Sequence, residues 1–523
     1  MVFWDGSQSG CHDEECHRLK RHDYALPLIK ISGFRTALFL IATGVFLYLR
    51  TCVLPGIPMA AQNDAVFFFE HAKRILIGQV PFRDFFVFVM PGTDLLYAGL
   101  FRLFGIHAWL VSAIVILLGL SLTAVVLQIS KQLLSGNLVF LPAILFLVFD
   151  FDNARDATHH WYSTLLVMLA VLTLLRGRTY NRILSAGALC GIATVFTQTQ
   201  GFLGFVAVTT FIIWMLRSER QSNSLLIRVL ALLTFPFIVI VGGTLGYYAH
   251  LAGIRALVYA LWEYPRLFTA TQYSYSPLLG LSSQPRFIDF LHVLSFSCLY
   301  LFVPLVYIFC FHRLFRQRRH MNPRHWEALL LISLVGSALL VTVALGPSSH
   351  RLCTVAPPAM IAFVWYFSGD GAIDRKIQRT LWWLSILLFI YLPIRLQLLP
   401  RNYLDLPTGK TAFLSPEQYS VDRWLAEHTR ANDYFFGLTP ASFALALRNP
   451  TPLDLILPTK MTTPAQEEAV IRSLQQYPAT LVFLRHEEAF DDDARLQEFS
   501  VFIHTHYHLE KAFPSGEFWQ VNQ

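Results

Sequence analysis

The chain has 523 residues, of which 54% are hydrophobic and only 14% are charged, and its mean hydropathy is +0.48. Soluble domains carry about 25% charged residues, so this composition excludes an ordinary soluble protein and predicts one embedded in a bilayer. The net charge of +7 does not indicate a nucleic-acid partner, because the excess lysines and arginines lie in short segments between apolar runs, where they orient membrane spans.

Apolar runs of about 17–25 residues predict the membrane-spanning helices. Eleven spans are expected, at 34–54, 107–129, 137–151, 160–175, 183–197, 200–216, 228–249, 288–311, 327–346, 351–368 and 379–398. The least obvious division falls in the nearly continuous apolar stretch 183–216, which is interrupted only by the polar segment 197–201. A single helix of that length would measure about 50 Å against a hydrocarbon core of about 30 Å, so two helices with a tight polar turn are predicted.

The distribution of basic residues predicts the orientation of the chain in its membrane. It puts the N-terminus in the cytoplasm and, with an odd number of spans, the C-terminus on the outer side. The expected organisation is a cytoplasmic segment 1–33, a transmembrane domain 34–400 whose first outer loop is 55–106, and an extracytoplasmic domain 401–523.

The last segment changes to a mixture of polar and apolar residues. Ser415, Pro416 and Gln418 have the pattern of a capped helix start. Two short apolar runs at 434–437 and 480–484 resemble strands, and 465–476 has helical periodicity. The predicted fold class is therefore an all-α polytopic membrane domain followed by a small α/β domain.

The first outer loop contains Asp64 immediately before an amphipathic segment, 65–77, that is expected to form a helix lying in the membrane interface. The carboxylate of Asp64 has two interpretations: it caps this helix, or it acts in catalysis. Lys73 and Arg74 on the same helix are expected to face lipid headgroups.

The second polar outer loop contains three carboxylates and two histidines, at Asp150, Asp152, Asp156, His159 and His160. Such groups are competent ligands for a divalent cation, and they are equally compatible with a hydrated loop that begins a helix. The two histidines stand at the mouth of a span and are candidates for substrate binding.

Cationic side chains expected on the outer side are candidates for binding an anionic substrate. Arg266, His350 and Arg351 are the main ones, and the arginine fork can pair with two phosphate oxygens at once. Anchoring at the membrane interface is the alternative role. Arg83 is a further substrate-binding candidate, and an ion pair with Asp84 that fixes the loop is its ordinary alternative.

The order of these parts resembles the GT-C superfamily of membrane glycosyltransferases, in particular the bacterial RgtA/B/C/D-like and protein mannosyltransferase-like branch. The first loop contributes an acidic residue after the first span and then the segments Pro81-Phe82-Arg83-Asp84, Pro91-Gly92 and Leu103-Phe104-Gly105. The likeness continues with His160-Trp161-Tyr162-Ser163 and Gln198-Thr199-Gln200-Gly201. It rests on the succession of these parts rather than on one distinctive motif.

The resemblance implies a polyprenyl-phosphate-linked sugar as donor, transfer with inversion, and Asp64 as the general base. A polyprenyl phosphate leaving group needs no protonation, so the second acid of glycoside hydrolysis is unnecessary. Ala65 departs from the Asp-Glu pair of some relatives. The second acid is either absent or supplied by Asp150, Asp152 or Asp156.

Two classes of function follow. The first is a glycosyltransferase acting on a lipid, glycan or protein acceptor, with no required cofactor apart from an optional divalent cation. The second is a transporter or flippase of lipid-linked saccharides, for which polar groups near the bilayer midplane and two related halves are expected. The polar groups of this chain collect in outer loops and no halves repeat, which favours the enzyme. An inactive scaffold remains a third interpretation.

Overall fold

The structure is a computed structural model that describes residues 33–61, 64–267, 287–344, 348–369, 371–456, 462–485 and 496–522, with the backbone alone for 287–300. The segment 1–32, predicted to be cytoplasmic, lies outside the described residues.

Helices occupy all eleven segments predicted as spans. The helices up to residue 263 are α1 (Gly33–Thr51), α2 (Ala65–Leu76), α3 (Gly92–Phe104), α4 (Ala108–Leu133), α5 (Leu141–Leu145), α6 (His159–Leu175), α7 (Tyr180–Phe196), α8 (Gln198–Ser218), α9 (Asn223–Ala252) and α10 (Ile254–Val258). A 3-10 turn, Gly136–Phe140, precedes α5, and π-helical turns follow α5 and α10 at Phe146–Phe151 and Tyr259–Glu263. The later helices of this part are α11 (Phe287–Gln317), α12 (Pro323–Ala344), α13 (Ser349–Val355), α14 (Pro357–Tyr366) and α15 (Ala372–Leu398).

Six helices of the described part are long and apolar enough to cross a membrane. They are α1, α4, α8, α9, α12 and α15. The apolar segments Gly136–Phe151 and His159–Leu175 are shorter. Together these helices make a multi-pass membrane protein, as the composition predicts.

The predicted break in the stretch 183–216 is present at Thr197, whose backbone is extended (φ −138°, ψ 108°) between α7 and α8. Gly201 is what allows the two helices to fold against each other so closely. A Cβ atom on Gly201 would lie 2.1 Å from the backbone nitrogen of Thr194, a distance that no side chain tolerates.

The turn between α7 and α8 also holds the first loop in place. The side chain of Gln198 donates to the carbonyl oxygen of Phe88 at 3.1 Å and accepts from the backbone nitrogen of Met90 at 3.3 Å. Gly92 then packs against α7, since a Cβ atom there would lie 2.6 Å from the carbonyl oxygen of Val195. The loop that contains Asp64 is therefore fixed to the helical bundle near its far end.

Strands occur at two places. A two-residue pair, β1 (Cys52–Val53) and β2 (Ile57–Pro58), follows α1. The C-terminal region, residues 402–522, contains a hairpin of β3 (Asn402–Leu406) and β4 (Gly409–Phe413), and a sheet of β5 (Phe435–Phe436), β6 (Leu481–Arg485), β7 (Tyr507–Phe513) and β8 (Gly516–Val521). The sheet order is β5-β6-β8-β7, and only the β5–β6 pair is parallel.

Three helices pack with these strands: α16 (Pro416–His428), α17 (Pro464–Gln476) and α18 (Gln497–His506). The predicted start of α16 is confirmed, because the Ser415 side chain accepts from the backbone nitrogen of Gln418 at 3.2 Å and Pro416 opens the helix. Both predicted strands and the helix predicted at 465–476 are also present.

The C-terminal region shares a hydrophobic core with the first loop. Phe69 of α2 and Phe443 of the C-terminal region have ring centroids 5.0 Å apart, and both belong to one buried cluster with Leu481 and Phe518. The sequence of α2 explains its part in this core, because Ala65, Phe68, Phe69 and Ala72 recur at helical spacing and all are buried. The helix predicted to lie at a lipid interface is thus packed against protein.

Candidate functional site

Asp64 lies at the N-terminus of α2 and its side chain is exposed. It has helical backbone angles (φ −63°, ψ −16°) and makes no hydrogen bond to the backbone of the helix that follows. A capping aspartate normally has an extended backbone and accepts from the second or third helical N–H. The geometry therefore does not support the capping interpretation, and the carboxylate remains available for other partners.

Asp156 and His350 form an ion pair beside Asp64. Nε2 of His350 lies 3.1 Å from Oδ2 of Asp156, and Asp156 is buried. The negative charge of Asp64 acts electrostatically on both residues. Two carboxylates from different loops are thus combined with an imidazole from the start of α13.

His159, His160 and Arg351 complete this group of residues. The two imidazole rings, at the first two positions of α6, have centroids 3.9 Å apart. The positive charge of Arg351 acts on both of them and on His350. Phe68 of α2 packs on His159 with ring centroids 5.2 Å apart, which joins this side of the group to the helix that follows Asp64.

We refer to these six residues as the acid–histidine cluster. Its members are Asp64, Asp156, His159, His160, His350 and Arg351.

Opposing influences act on the carboxyl group of Asp156. Burial raises its pKa above the ordinary value; His350 lowers it in part, while the nearby charge of Asp64 raises it further. Because Asp64 is exposed and Asp156 is buried, the two carboxylates have different environments. Such differences between neighbouring acids are a common feature of sites that transfer protons.

Three side chains hold the segment around Asp156, two through its backbone and one through the carboxylate. Tyr97 of α3 donates to the carbonyl oxygen of Ala157 at 2.6 Å, and the indole of Trp161 donates to that of Ala154 at 2.7 Å. The hydroxyl of Thr158 donates to Oδ1 of Asp156 at 3.2 Å. The position of the buried carboxylate is therefore determined by its surroundings before any substrate binds.

The other two acids of the second loop have different surroundings. Asp152 accepts two hydrogen bonds from Arg50, at 2.5 and 2.6 Å, and one from Arg155 at 2.8 Å. Asp150 is buried, and neither of its oxygens has a hydrogen-bond partner in the described part of the chain. Asp156 is thus the candidate second acid that lies within the field of Asp64.

No metal site is formed where the sequence suggested one. Within the described ranges, no group of three or more histidines, cysteines, aspartates or glutamates is arranged to hold a metal ion. The arginine contacts of Asp152 explain why this loop does not gather its carboxylates around a cation.

Arg83 and Arg266, also predicted to bind substrate, make contacts of other kinds. Arg83 pairs with Asp84 at 2.8 Å, the arrangement given above as its ordinary alternative. The guanidinium of Arg266 lies 5.4 Å from the ring centroid of Trp262, and both side chains are exposed. A cavity of about 290 Å³ lies at the ends of α6 to α9 near Arg178, and none of the candidate residues lines it.

The expectation that Lys73 and Arg74 face lipid headgroups is wrong. Nζ of Lys73 lies 3.0 Å from the carboxylate of Glu70 and donates to the carbonyl oxygen of Ser442 at 3.2 Å. Arg74 is 4% exposed and pairs with Asp454 at 2.9 Å. Both side chains contact the C-terminal region. The packing of that region against α2 cannot be predicted from the local sequence.

His71, Asp94 and Asp454 form a second polar group that sequence reasoning missed. His71 lies between the two carboxylates, with Nδ1 3.0 Å from Asp94 and Nε2 2.7 Å from Asp454. Asp94 could have been noticed in the sequence as an acidic residue in the first turn of a largely apolar helix. No local signal connects His71 with Asp454, because the pair depends on how the two regions pack.

Comparison with known proteins identifies the fold. A scan against protein-family models gave no match, and neither did a comparison with curated protein sequences. Among solved structures, the chain is similar to ArnT from Cupriavidus metallidurans bound to undecaprenyl phosphate, with a TM-score of 0.57 and 12% identity over 92% of this chain and 96% of that one. The apo structure of the same ArnT gives a TM-score of 0.58 and 12% identity, covering 92% of this chain and 97% of that one.

The alignment extends over nearly the whole of both chains, so it includes the helical part, the first loop and the C-terminal region together. The chain therefore has the fold of the two ArnT structures over nearly its whole length.

Proposed function

We propose that this protein is an integral-membrane glycosyltransferase that uses a polyprenyl-phosphate-linked sugar as donor, with Asp64 as the general base. The observation that carries the proposal is the acid–histidine cluster. In it an exposed carboxylate without a capping role stands beside a buried acid and its histidine partner, and Arg351 and two further histidines surround that partner. The match in fold to an ArnT structure that binds undecaprenyl phosphate supports this class of donor.

The reaction joins an acceptor hydroxyl oxygen to the anomeric carbon of the sugar. As the new C–O bond forms, the bond from that carbon to the phosphate oxygen breaks, and its electron pair leaves with the polyprenyl phosphate. Asp64 takes the hydroxyl proton, because an alcohol is a poor nucleophile until a positioned base removes that proton. The phosphate leaves as an anion, so no acid is needed on that side.

The cationic members of the cluster suit the departing phosphate. Arg351 offers a planar fork that pairs with two phosphate oxygens, and His350 adds a further donor in its protonated form, which the contact with Asp156 favours. Asp156 holds His350 in place. It therefore links the proposed phosphate-binding residue His350 with the neighbouring base, Asp64. The histidines at the start of α6 are assigned to the sugar or its phosphate.

The proposed setting is the bacterial inner membrane, with the first loop and the C-terminal region on the periplasmic side. This orientation follows from the basic residues between spans, and it puts the cluster where a membrane-borne donor presents its headgroup. The acceptor is a lipid, glycan or protein that reaches the same surface.

The test is transfer of radiolabelled sugar by the purified protein in nanodiscs, from a panel of polyprenyl-phosphate sugars to a mixture of membrane lipids, glycans and peptides. Asp64→Asn is compared with Asp405→Asn, which makes the same change at an exposed position of β3. We expect Asp64→Asn to lower the rate by about 10²- to 10⁴-fold, the usual contribution of a general base, with Asp405→Asn unchanged.

Retention of activity by Asp64→Asn would remove this residue from the catalytic role. If the wild type moves a lipid-linked saccharide across the vesicle membrane but transfers no sugar from any donor, the transporter interpretation replaces the enzyme.

A further inference from the structure

The imidazole of His71 is enclosed by two carboxylates that belong to different parts of the chain. Asp94 comes from α3, and Asp454 comes from the C-terminal region. The His71 side chain is 8% exposed, and those of Asp94 and Asp454 are 0% and 7% exposed. With both ring nitrogens protonated, His71 donates to each carboxylate and connects α2 to α3 on one side and to the C-terminal region on the other.

The neighbouring residues of α2 add further links to the C-terminal region. Arg74 donates to Oδ1 of Asp454 at 2.9 Å and to the carbonyl oxygen of Thr451 at 2.6 Å. The buried group then contains two carboxylates, one guanidinium and one imidazole. Its charges balance only when His71 is protonated, which explains why the carboxylates favour that form.

The same network also reaches the second acid of the cluster. Tyr97 stands one turn after Asp94 on α3, packs edge-on against Phe69 of α2 with ring centroids 4.8 Å apart, and donates to the carbonyl oxygen of Ala157. Ala157 follows Asp156 directly. Contacts that fix α3 therefore fix the backbone beside Asp156, while contacts that fix α2 fix the helix that begins after Asp64.

Asp64 directly precedes α2 and has helical backbone angles, so its position follows that of the helix. The seven residues from Asp64 to His71 correspond to about 10 Å of helix, a short and stiff distance. A shift of α2 would be passed to the carboxylate, and a misplacement of about 1 Å can cost a reaction about 10²-fold.

We infer that His71 and Asp454 are positioning residues for sugar transfer, so that the C-terminal region sets the location of Asp64 and Asp156 through α2 and α3. This inference rests on the proposed function. Neither residue touches the reacting atoms; each acts through the helices that carry the two acids.

The experiment compares Asp454→Asn and His71→Gln with Glu427→Gln in the full-length protein. Glu427 is a matched control because it forms an ion pair in the same region, with Arg423 at 2.7 Å, that is about half exposed. All variants are measured for kcat, for donor and acceptor KM, and for hydrogen–deuterium exchange of the peptides that cover 65–76 and 154–158.

We expect Asp454→Asn and His71→Gln to lower kcat at least about 10-fold, with donor KM changed by less than about 3-fold. Hydrogen–deuterium exchange should rise in both peptides. Glu427→Gln should change neither kcat nor the exchange of these peptides. If Asp454→Asn fails to give a monodisperse protein, Arg74→Lys is a milder variant. It keeps the positive charge but removes the N–H group that donates to the carbonyl oxygen of Thr451. It should give an intermediate loss of kcat.

A folded Asp454→Asn protein with wild-type kcat and wild-type exchange in both peptides overturns the positioning inference and leaves the proposed function intact. So does a loss of activity that appears only as a raised donor KM. A wild-type protein that transfers no sugar, by contrast, contradicts the proposed function itself. The reaction that these residues are inferred to support would then not exist.

Discussion

His350 and Asp156 come from distant parts of the chain, and Nε2 of the first lies 3.1 Å from Oδ2 of the second. The contact joins the start of α13 to the loop before α6. It matters because the charge of Asp64, from a third segment, acts on both residues. The acid–histidine cluster is thus made by packing three separate segments, each of which has an ordinary structural interpretation when taken alone.

Asp156 and Asp150 provide a direct comparison of two buried acids in one loop. Asp156→Asn should lower the transfer rate about 10-fold or more, because it removes the charge that holds His350 beside Asp64. Asp150→Asn should leave the rate within about 2-fold, since the electrostatic neighbours of Asp150 are Tyr307 and Cys353. Steady-state rates of both purified variants check this. Equal losses in the two variants would show that the loop is sensitive to any change of charge.

Arg351→Ala should raise the donor KM about 10- to 100-fold, the equivalent of one lost charge-assisted hydrogen bond of about 1.5–3 kcal/mol. The acceptor KM should change less than the donor KM, because in the proposed reaction the acceptor contributes a hydroxyl group and the donor contributes the departing phosphate. Saturation curves for each substrate measure the difference. Arg472→Ala is the control, since Arg472 is exposed on α17 and pairs only loosely with Glu468 at 3.7 Å. A donor curve that coincides with the wild type would exclude Arg351 from phosphate binding.

The stability that His71 provides should depend on pH. Burial lowers the pKa of its imidazole, but the carboxylates of Asp94 and Asp454 outweigh that effect and raise the pKa from 6.5 to about 10. Three other charged or titratable groups face this site. Arg74 pairs with Asp454, Tyr248 lies near Asp94, and Asp84 lies near Arg74.

A group with a raised pKa stabilises the folded state fully below its unfolded pKa, and this contribution is lost as the pH rises towards the folded value. The melting temperature of the wild type should therefore exceed that of His71→Gln most at and below pH 6.5, and the gap should narrow as the pH rises to about 10. Removal of one partner from a buried ion pair costs about 3–5 kcal/mol. Thermal melts across this range test the prediction; a gap that stays constant with pH would mean that His71 is not charged in the folded protein.

Gly201→Ala should prevent normal packing of α7 on α8. The added Cβ would lie 2.1 Å from the backbone nitrogen of Thr194, and overpacking of this kind costs about 1–3 kcal/mol or more. Gly243→Ala in α9 is the matched control, because no atom lies within 4 Å of its Cβ position and alanine favours the helix. The yield of monodisperse protein and the melting temperature should fall for the first variant alone. Similar behaviour of both would show that the close approach at Gly201 is not required.

The sequence did not predict β3, β4, β7, β8 or α18. It did predict helices in the eleven apolar segments, the break at Thr197, the start of α16, and the elements α17, β5 and β6. These features depend on the length of an apolar run, on a polar interruption, or on a capping residue and its third neighbour, all of which lie within a short stretch of chain. The order of the segments was also enough to indicate the fold that the comparison with ArnT shows.

The tertiary structure was needed to show which of the many polar residues lie together. In the folded chain, Asp156 and His350 lie beside Asp64, and Asp152 pairs with Arg50. Arg74, expected to contact lipid, is instead buried and pairs with Asp454. Each of these pairs joins residues far apart in sequence. Whether an exposed-looking charge is buried and paired depends on the surface that packs over it, and that surface comes from elsewhere in the chain.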